Sequence, residues 1–492
     1  MGILKMNSFE TNVIRGLLLT VLIGLLMACG GGGGCGGTAS TSEPVVARGV
    51  ITQLGSIWVN GVEYETPEGG SYSSDDDSDF DPKLYQPGQV VRIRGKLHDD
   101  GVSGTADEVE YEAEIEGTAG TGNTINGYNI ITDQSLTPGT RYEVSGFWID
   151  DSTIDATFIK VDDDNDGGID EIKGFIDVLV PGTSINVRGV TYIFTNTTAF
   201  SEGDFVEVHF NPASCTGSIP NRTCDADIVE SEDDFNDEIE GLEVEFEGAV
   251  NMDPTDLAKC PIDADFMIGP TCIDWDLVPS DGWMDGLTGS ADMMPGLRVE
   301  AEGHFNLAGL LIAEKIKGRG NRVRISATVS NVDGTGGLGT LEVFGGAIQV
   351  TTQSGLTSIE NPLVNGDGFE IRGIRTGATS VLALRIKSDS VGSNDHELRA
   401  EVDLNGANSG AGTITVMGIT SLANSDTELQ DEDFVVAPGN GNTTSLQIIN
   451  FLGSIDDDGI VSTTNGPNDV VDVRIDTTDN TARQIEIERE DD

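Results

Sequence analysis

Pro87-Gly88-Gln89-Val90-Val91-Arg92-Ile93-Arg94-Gly95 is a turn followed by alternating apolar and polar residues, and its reading decides the fold. Alternation at period two marks a strand with one buried face. The same turn and strand return from Pro138-Gly139 to Gly146, from Glu202-Gly203 to His209, from Pro295-Gly296 to Gly303 and from Asn365-Gly366 to Gly373. A degenerate sixth copy is expected at Asp433-Phe434-Val435-Val436.

A second element follows each copy. Ala106, Ala156, Ala226, Ala313, Ala383 and Ala482 each stand two or three residues before a branched side chain. A third, in which a strand meets glycine and continues, precedes several copies, as at Val59-Asn60-Gly61-Val62 and Val187-Arg188-Gly189-Val190. Asn-Gly is a two-residue hairpin signal. The recurrence is irregular, at roughly 50 to 90 residues, which reads as tandem small domains and not a tight solenoid. Each unit is long enough for a four- or five-stranded antiparallel barrel, whose closure removes edge strands. No segment shows a capped helical period, so helix should be minor.

The order strand-Gly-strand, then Gly-x-x-Val-x-Val-x-Gly, then Ala-x-x-Ile resembles the tandem repeats of domain of unknown function 5666, found in lipoproteins of Gram-negative bacteria. The resemblance covers most of residues 47–490 and is best in the first, third and fifth copies. It implies small barrels of OB type and an envelope location, and supplies no activity and no functional residues. The expected fold is all-β: six tandem OB-like barrels after a signal peptide and a Gly-rich tether. The expected boundaries are 1–28 for the signal peptide, 29–46 for the tether, 47–116 for the first repeat and 117–161 for a short second one. An acidic linker or calcium loop at 162–171 precedes repeats at 172–233, 234–322, 323–396 and 397–492. The units should behave as nearly independent bodies that contact mainly their chain neighbours.

Residues 16–29 form an apolar run ending in Leu26-Met27-Ala28-Cys29, preceded by Lys5 and Arg15. The run has signal-peptide length and falls short of the roughly 20 residues of a membrane span. Its end resembles the bacterial lipobox, which implies lipidation of Cys29 and cleavage before it. Gly30 to Gly37, broken by Cys35, then acts as a flexible tether. Gly30 after the lipidated cysteine implies, by resemblance to lipoprotein sorting, the outer membrane, with the body periplasmic or surface-exposed.

Lys and Arg total 27 against 84 Asp and Glu, a formal charge of −57. Such a surface repels phosphate backbones, so nucleic acid is not an expected partner. Cys215 and Cys224 lie near each other in the chain, as do Cys260 and Cys272. In an oxidising compartment local pairing, Cys215 with Cys224 and Cys260 with Cys272, is the simplest framework, although sequence alone leaves three connectivities and zinc is the alternative. Asp162, Asp164, Asp166 and Asp170, with Gly167 at the turn, are spaced like a calcium loop, although Lys173 stands where a bidentate glutamate belongs. The competing reading is a solvated acidic linker. The acidic runs at 73–81, 230–234 and 456–459 read as solvated loops.

Histidines number four, and His98, His209 and His304 fall at similar places in different copies, so they should not converge. No nucleophile elbow, His-Glu-x-x-His or phosphate loop is present. A basic cluster, Lys315, Lys317, Arg319, Arg322 and Arg324, reads as strand charges meeting carboxylates or as a contact for an anionic glycan. The functional expectation is a non-enzymatic, lipid-anchored spacer or interaction module for an envelope protein or glycan, requiring no cofactor. A calcium-dependent adhesin-like binder is the alternative, and a hydrolase with an unrecognised site a distant third.

Overall fold

The Pro-Gly turn is explained by what it bonds. In the computed structural model the glycines Gly88, Gly139, Gly203, Gly296 and Gly366 all take positive φ, between 79° and 94°. Each donates its N–H to the carbonyl of a residue at the end or bend of the unit's first strand: Ile51, Ala119, Ile176, Val250 and Val329 respectively. The N–H of that bend residue returns a bond to the carbonyl just after the glycine. One left-handed residue thus ties the turn to the bend twice, a backbone conformation that glycine adopts without steric cost.

The structure describes residues 43–488 apart from 54–55, 75–79, 112, 133, 163–167, 233–241, 285–286, 320–321, 334–338, 355, 392–394, 404–405, 432–433, 437–443, 453–454 and 456–469. The signal segment, Cys29 and Cys35 lie outside the described residues, as do Asp164 and Asp166 and most of the acidic runs. The described chain is almost all β, with short α-helices at Pro254–Leu257 and Ser445–Leu452. No described helix is long and apolar enough to cross a membrane.

Five strands close into a barrel in residues 170–231: Asp170–Val180, Ser184–Val187, Val190–Ile193, Phe205–Phe210 and Arg222–Ser231. Their pairing order is first-second-third-fifth-fourth-first, with the third and fifth parallel. Residues 243–318 close in the same order. This is the OB-like arrangement. Residues 43–111 form the same ring, because Glu43–Gln53 pairs both Ile57–Val59 and Val90–Leu97. In 115–161 and 395–488 the second strand is joined to the first by single bridges, Ala119 to Ile125 and Val402 to Val416. In 322–388 the first strand is broken into Arg322–Thr328 and Ser330–Asp333.

The recurring alanines sit opposite the glycines that end the Pro-Gly strand. Gly95 faces Ala106, Gly146 faces Ala156, Gly303 faces Ala313 and Gly373 faces Ala383, each at a shift of register. A Cβ on any of these glycines would lie 2.0–2.2 Å from a carbonyl oxygen of the partner strand. The glycine permits the bulge that bends the sheet into a ring. The sixth expected copy is displaced: Phe434–Val436 only forms a hairpin with Glu428–Asp431, and the strand in fourth position is Val470–Asp476. The first strand of the 170–231 barrel also begins inside the segment expected to be linker.

The barrels do not hang separately on the chain. Their first strands pair across barrels, covering an edge that one ring alone would leave open. Val45–Arg48 runs parallel to Glu243–Phe246, which joins 43–111 to 243–318 over the intervening chain. Ile115 and Glu116 pair with Ile172 and Glu171. Arg324–Ser326 pairs with Glu397–Arg399. One hydrophobic cluster includes Val46 and Val90, Phe147 and Ile149, Val244 and Phe246, and Leu356 and Leu384, thereby spanning four of the segments. Residues 42–492 accordingly make one compact unit. This corrects the expectation of independent beads contacting chain neighbours.

Candidate functional site

Phe147 anchors the place where the segments meet. It projects from Arg141–Asp150 and is 3% exposed. The guanidinium of Arg48 lies 5.5 Å from its ring centre and that of Arg298 lies 4.8 Å away. Arg298 bonds Glu247 Oε1 at 2.6 Å, and Arg48 bonds Glu114 at 2.9 Å. Two cations on an aromatic ring, each held by a carboxylate, fix the middle segment into the seam of 43–111 with 243–318.

Beside Phe147 opens a cleft of about 330 Å³ lined from all these segments. Phe175 and Phe205 stand edge to face in its wall, with centroids 5.2 Å apart. Arg188 stacks on Trp148 at 3.9 Å and donates to the Lys173 carbonyl at 2.7 Å. Burial lowers the Arg188 pKa, and the nearby Glu114, Asp151 and Asp177 oppose that fall. The other cations of the cleft are matched: Arg92 pairs with Glu110, and Lys173 lies 3.6 Å from Glu207 and 3.8 Å from Glu232. Asp151 and Asp253 are exposed at the rim.

The structure joins Cys215 to Cys224 and Cys260 to Cys272. The second bridge pins Cys260, just after the turn that carries Leu257 and Lys259, to the strand Thr271–Asp274; Lys259 lies 4.8 Å over the Phe175 ring of the neighbouring barrel and 3.7 Å from Asp177. Cys272, Leu257 and Phe175 share a small apolar cluster. Both bridges therefore serve packing, the second of them between segments.

Of the four aspartates spaced like a calcium loop, Asp162 and Asp170 are described, and both bond Arg141. The Asp162 carboxylate is 2.7 Å from Arg141 Nε, and Asp170 is bonded by Nη1 of the same guanidinium. Burial pushes the Asp170 carboxyl up to about 6 against the pull of Arg141. The guanidinium thus supplies the charge a cation would bring to these two groups. The basic cluster is similarly consumed: Lys315 meets Glu302 at 2.6 Å, and Lys317 and Arg319 meet Glu300 at 3.0 and 2.9 Å. Arg324 reaches Glu397 at 3.1 Å, and Arg322 donates to the Gly318 carbonyl.

Sequence reading missed the cleft, because its lining is gathered from strands far apart in the chain. It did place the histidines correctly relative to one another: His98, His209 and His304 belong to three different barrels. A family described as Domain of unknown function (DUF5666) matches residues 48–110, which is the 43–111 barrel almost end to end. No curated protein matches the chain.

Proposed function

We propose that this chain is a non-enzymatic interaction module of the cell envelope, built of six OB-like units and tethered to the outer membrane through a lipidated Cys29. The observation that carries the reading is the cleft beside Phe147, assembled from several barrels and lined by charges that are mostly neutralised within the fold. Such a surface suits an uncharged, hydroxyl-rich chain, and a glycan of the envelope is the ligand class we assign. Phe175 and Phe205 offer apolar edges to sugar rings, and the rim carboxylates Asp151 and Asp253 accept hydroxyl hydrogen bonds.

Two measurements test this. Cys29→Ala should abolish acyl labelling and leave an unprocessed precursor; processing and membrane fractionation as before would overturn the anchor. Purified protein should bind defined envelope oligosaccharides, and Phe205→Ser should weaken that binding at least about tenfold, roughly 1.4 kcal/mol. Equal binding by both proteins, or none by either, overturns the cleft as the site. Calcium-dependent adhesion through Asp162, Asp164, Asp166 and Asp170 would require Arg141 to release two carboxylates. A calcium-induced rise in Tm that Asp164→Ala abolishes would favour that alternative.

A further inference from the structure

Three strands of the 170–231 barrel lay out a polar grid on its outer face. Glu171 of the first strand lies opposite His209 of the fourth, and Lys173 lies opposite Glu207. Glu207 lies opposite Glu230 of the fifth strand. The alternating Ile172, Val206, Val208 and Val229 are buried in the barrel core, so period two places the polar set together on the outside.

His209 Nδ1 is 2.7 Å from Glu171 Oε1. Its Nε2 lies 3.5 Å from Glu207 Oε2 and 3.8 Å from Glu230 Oε2. That nitrogen is shut off from solvent and has no hydrogen-bond partner. Its nearest neighbours are those two carboxylates, and a ring nitrogen faced by two carboxylate oxygens suits a shared cation, either the proton of the imidazolium or a metal ion in its place.

We propose that His209 Nε2, Glu207 and Glu230 bind a first-row divalent cation of the zinc type, with Glu171 orienting the imidazole through Nδ1. Bonds of about 2.0–2.2 Å around a tetrahedral ion separate ligand atoms by about 3.3–3.6 Å, close to the 3.5 and 3.8 Å that separate His209 Nε2 from Glu207 and Glu230. Glu230 is 63% exposed along its side chain and has the freedom to close in. Lys173 Nζ sits 3.6 Å from the other oxygen of Glu207, Oε1, which leaves Oε2 for the ion. A carboxylate accepting the second ring N–H is the arrangement that fixes the tautomer of metal-bound histidine. Glu171, Glu207, Glu230 and Glu232 together carry more negative charge than Lys173 neutralises. An imidazole donor selects zinc-like ions over calcium.

The test is zinc titration of the purified full chain against a chromophoric chelator, with zinc K-edge absorption on the one-equivalent complex. His209→Gln and Glu230→Gln should each lower affinity at least tenfold, and Glu171→Gln by about 10–100-fold. His304→Gln, on another barrel, should leave it unchanged, and calcium at equal concentration should not displace zinc. Absorption should show one imidazole among oxygen ligands. If His209→Gln does not fold, the exposed Glu230→Gln decides the matter alone. Wild-type affinity in Glu230→Gln, equal loss in His304→Gln, displacement by calcium or absence of an imidazole signature would each overturn the site.

Discussion

The 43–111 and 243–318 barrels are paired across a long stretch of intervening chain, whereas 322–388 and 395–488 are paired as neighbours. The difference shows in their cores. The C-terminal pair owns one cluster running from Val323 to Ile487, with no member from outside the pair. The 43–111 barrel keeps a core of its own, whereas the core of 243–318 takes in Val46 and Val90 of its partner, Phe147 and Ile149 of the middle segment, and Leu356, Ile374, Leu382 and Leu384 of the fifth. Polar ties follow the same route, with Arg372 bonding Asp292 at 2.6 Å and Arg385 donating to the Ala291 carbonyl at 2.8 Å. A barrel OB-like in topology can therefore draw its core from several segments, or share one core with its partner alone while lending further side chains to a neighbouring cluster. The first-strand seam decides which.

The comparison breaks most visibly if a charge is buried in each seam. Val244 and Leu398 are both 0% exposed. Val244→Asp places an unpaired carboxylate in the shared cluster and should cost at least about 4 kcal/mol. Limited proteolysis should then digest 43–318 and leave a resistant 322–488 fragment. Leu398→Asp should do the converse. If both variants lose the whole chain together, the C-terminal pair is not self-contained.

Protons separate the pairs with opposite sign. In the N-terminal seam Glu245 is pushed up to about 8, by burial first and then by the charges of Glu300 and Glu302. The folded chain holds a proton that the unfolded chain releases near pH 4.3, so this pair loses stability as pH rises from about 4.3 to 8, by up to about 1.4 kcal/mol per unit. In the C-terminal pair burial raises Glu370, but Lys387, Arg372 and Arg324 outweigh it and the net shift is downward. Its contribution is therefore already complete at pH 5. His396 is lowered by burial, so that pair gains stability as pH rises toward about 6.5. Hydrogen exchange at pH 5, 6.5 and 8 should show protection falling in 243–251 and not in 368–377. Glu245→Gln should flatten the first trend, and a slope unchanged in that variant assigns it to another group.

The cysteine bridges give a smaller effect. Replacing Cys260 and Cys272 by serine should cost about 2–3 kcal/mol through the lost short-loop constraint. Because the bridge pins the residue next to Lys259, which packs over Phe175, cleavage by protease should appear near 254–262 first. Undisturbed protection there would show that the packing holds without the bridge.

The turn glycines, the period-two strands and the alanines of the last strand were legible because each is a local steric demand. Two things were not. Most of the first strands went unread, although Glu243-Val244-Glu245-Phe246-Glu247 alternates plainly, since no glycine or proline announces them. The choice of partner for each first strand leaves no local trace, because Val45 and Val46 would suit any apolar neighbour. The cleft inherits this, being made of whatever those seams bring together. Arg141 shows the opposite hazard: a motif spaced for a cation met a cation already in the fold.

Two of the legible glycines can still measure what was not. Gly296 and Gly366 occupy the same turn in the two pairs, with φ of 79° and 91° and the same bonds to a strand bend. Replacing either by alanine imposes a left-handed conformation on a residue with a Cβ, which costs about 1–2 kcal/mol. At Gly366 nothing lies within 4 Å of that Cβ, so the conformational cost is the whole effect. At Gly296 it would meet Leu356 at 3.1 Å, Leu384 at 3.3 Å and Ile149 at 3.4 Å, three side chains from two other segments. Those chains must give by a few tenths of an ångström, in a cluster packed as tightly as any core. Gly296→Ala should therefore be the more destabilising, by up to about 1 kcal/mol, and the excess should disappear in a Leu356→Ala background. Equal losses in the two variants would mean that the fifth segment does not press on the woven pair in solution.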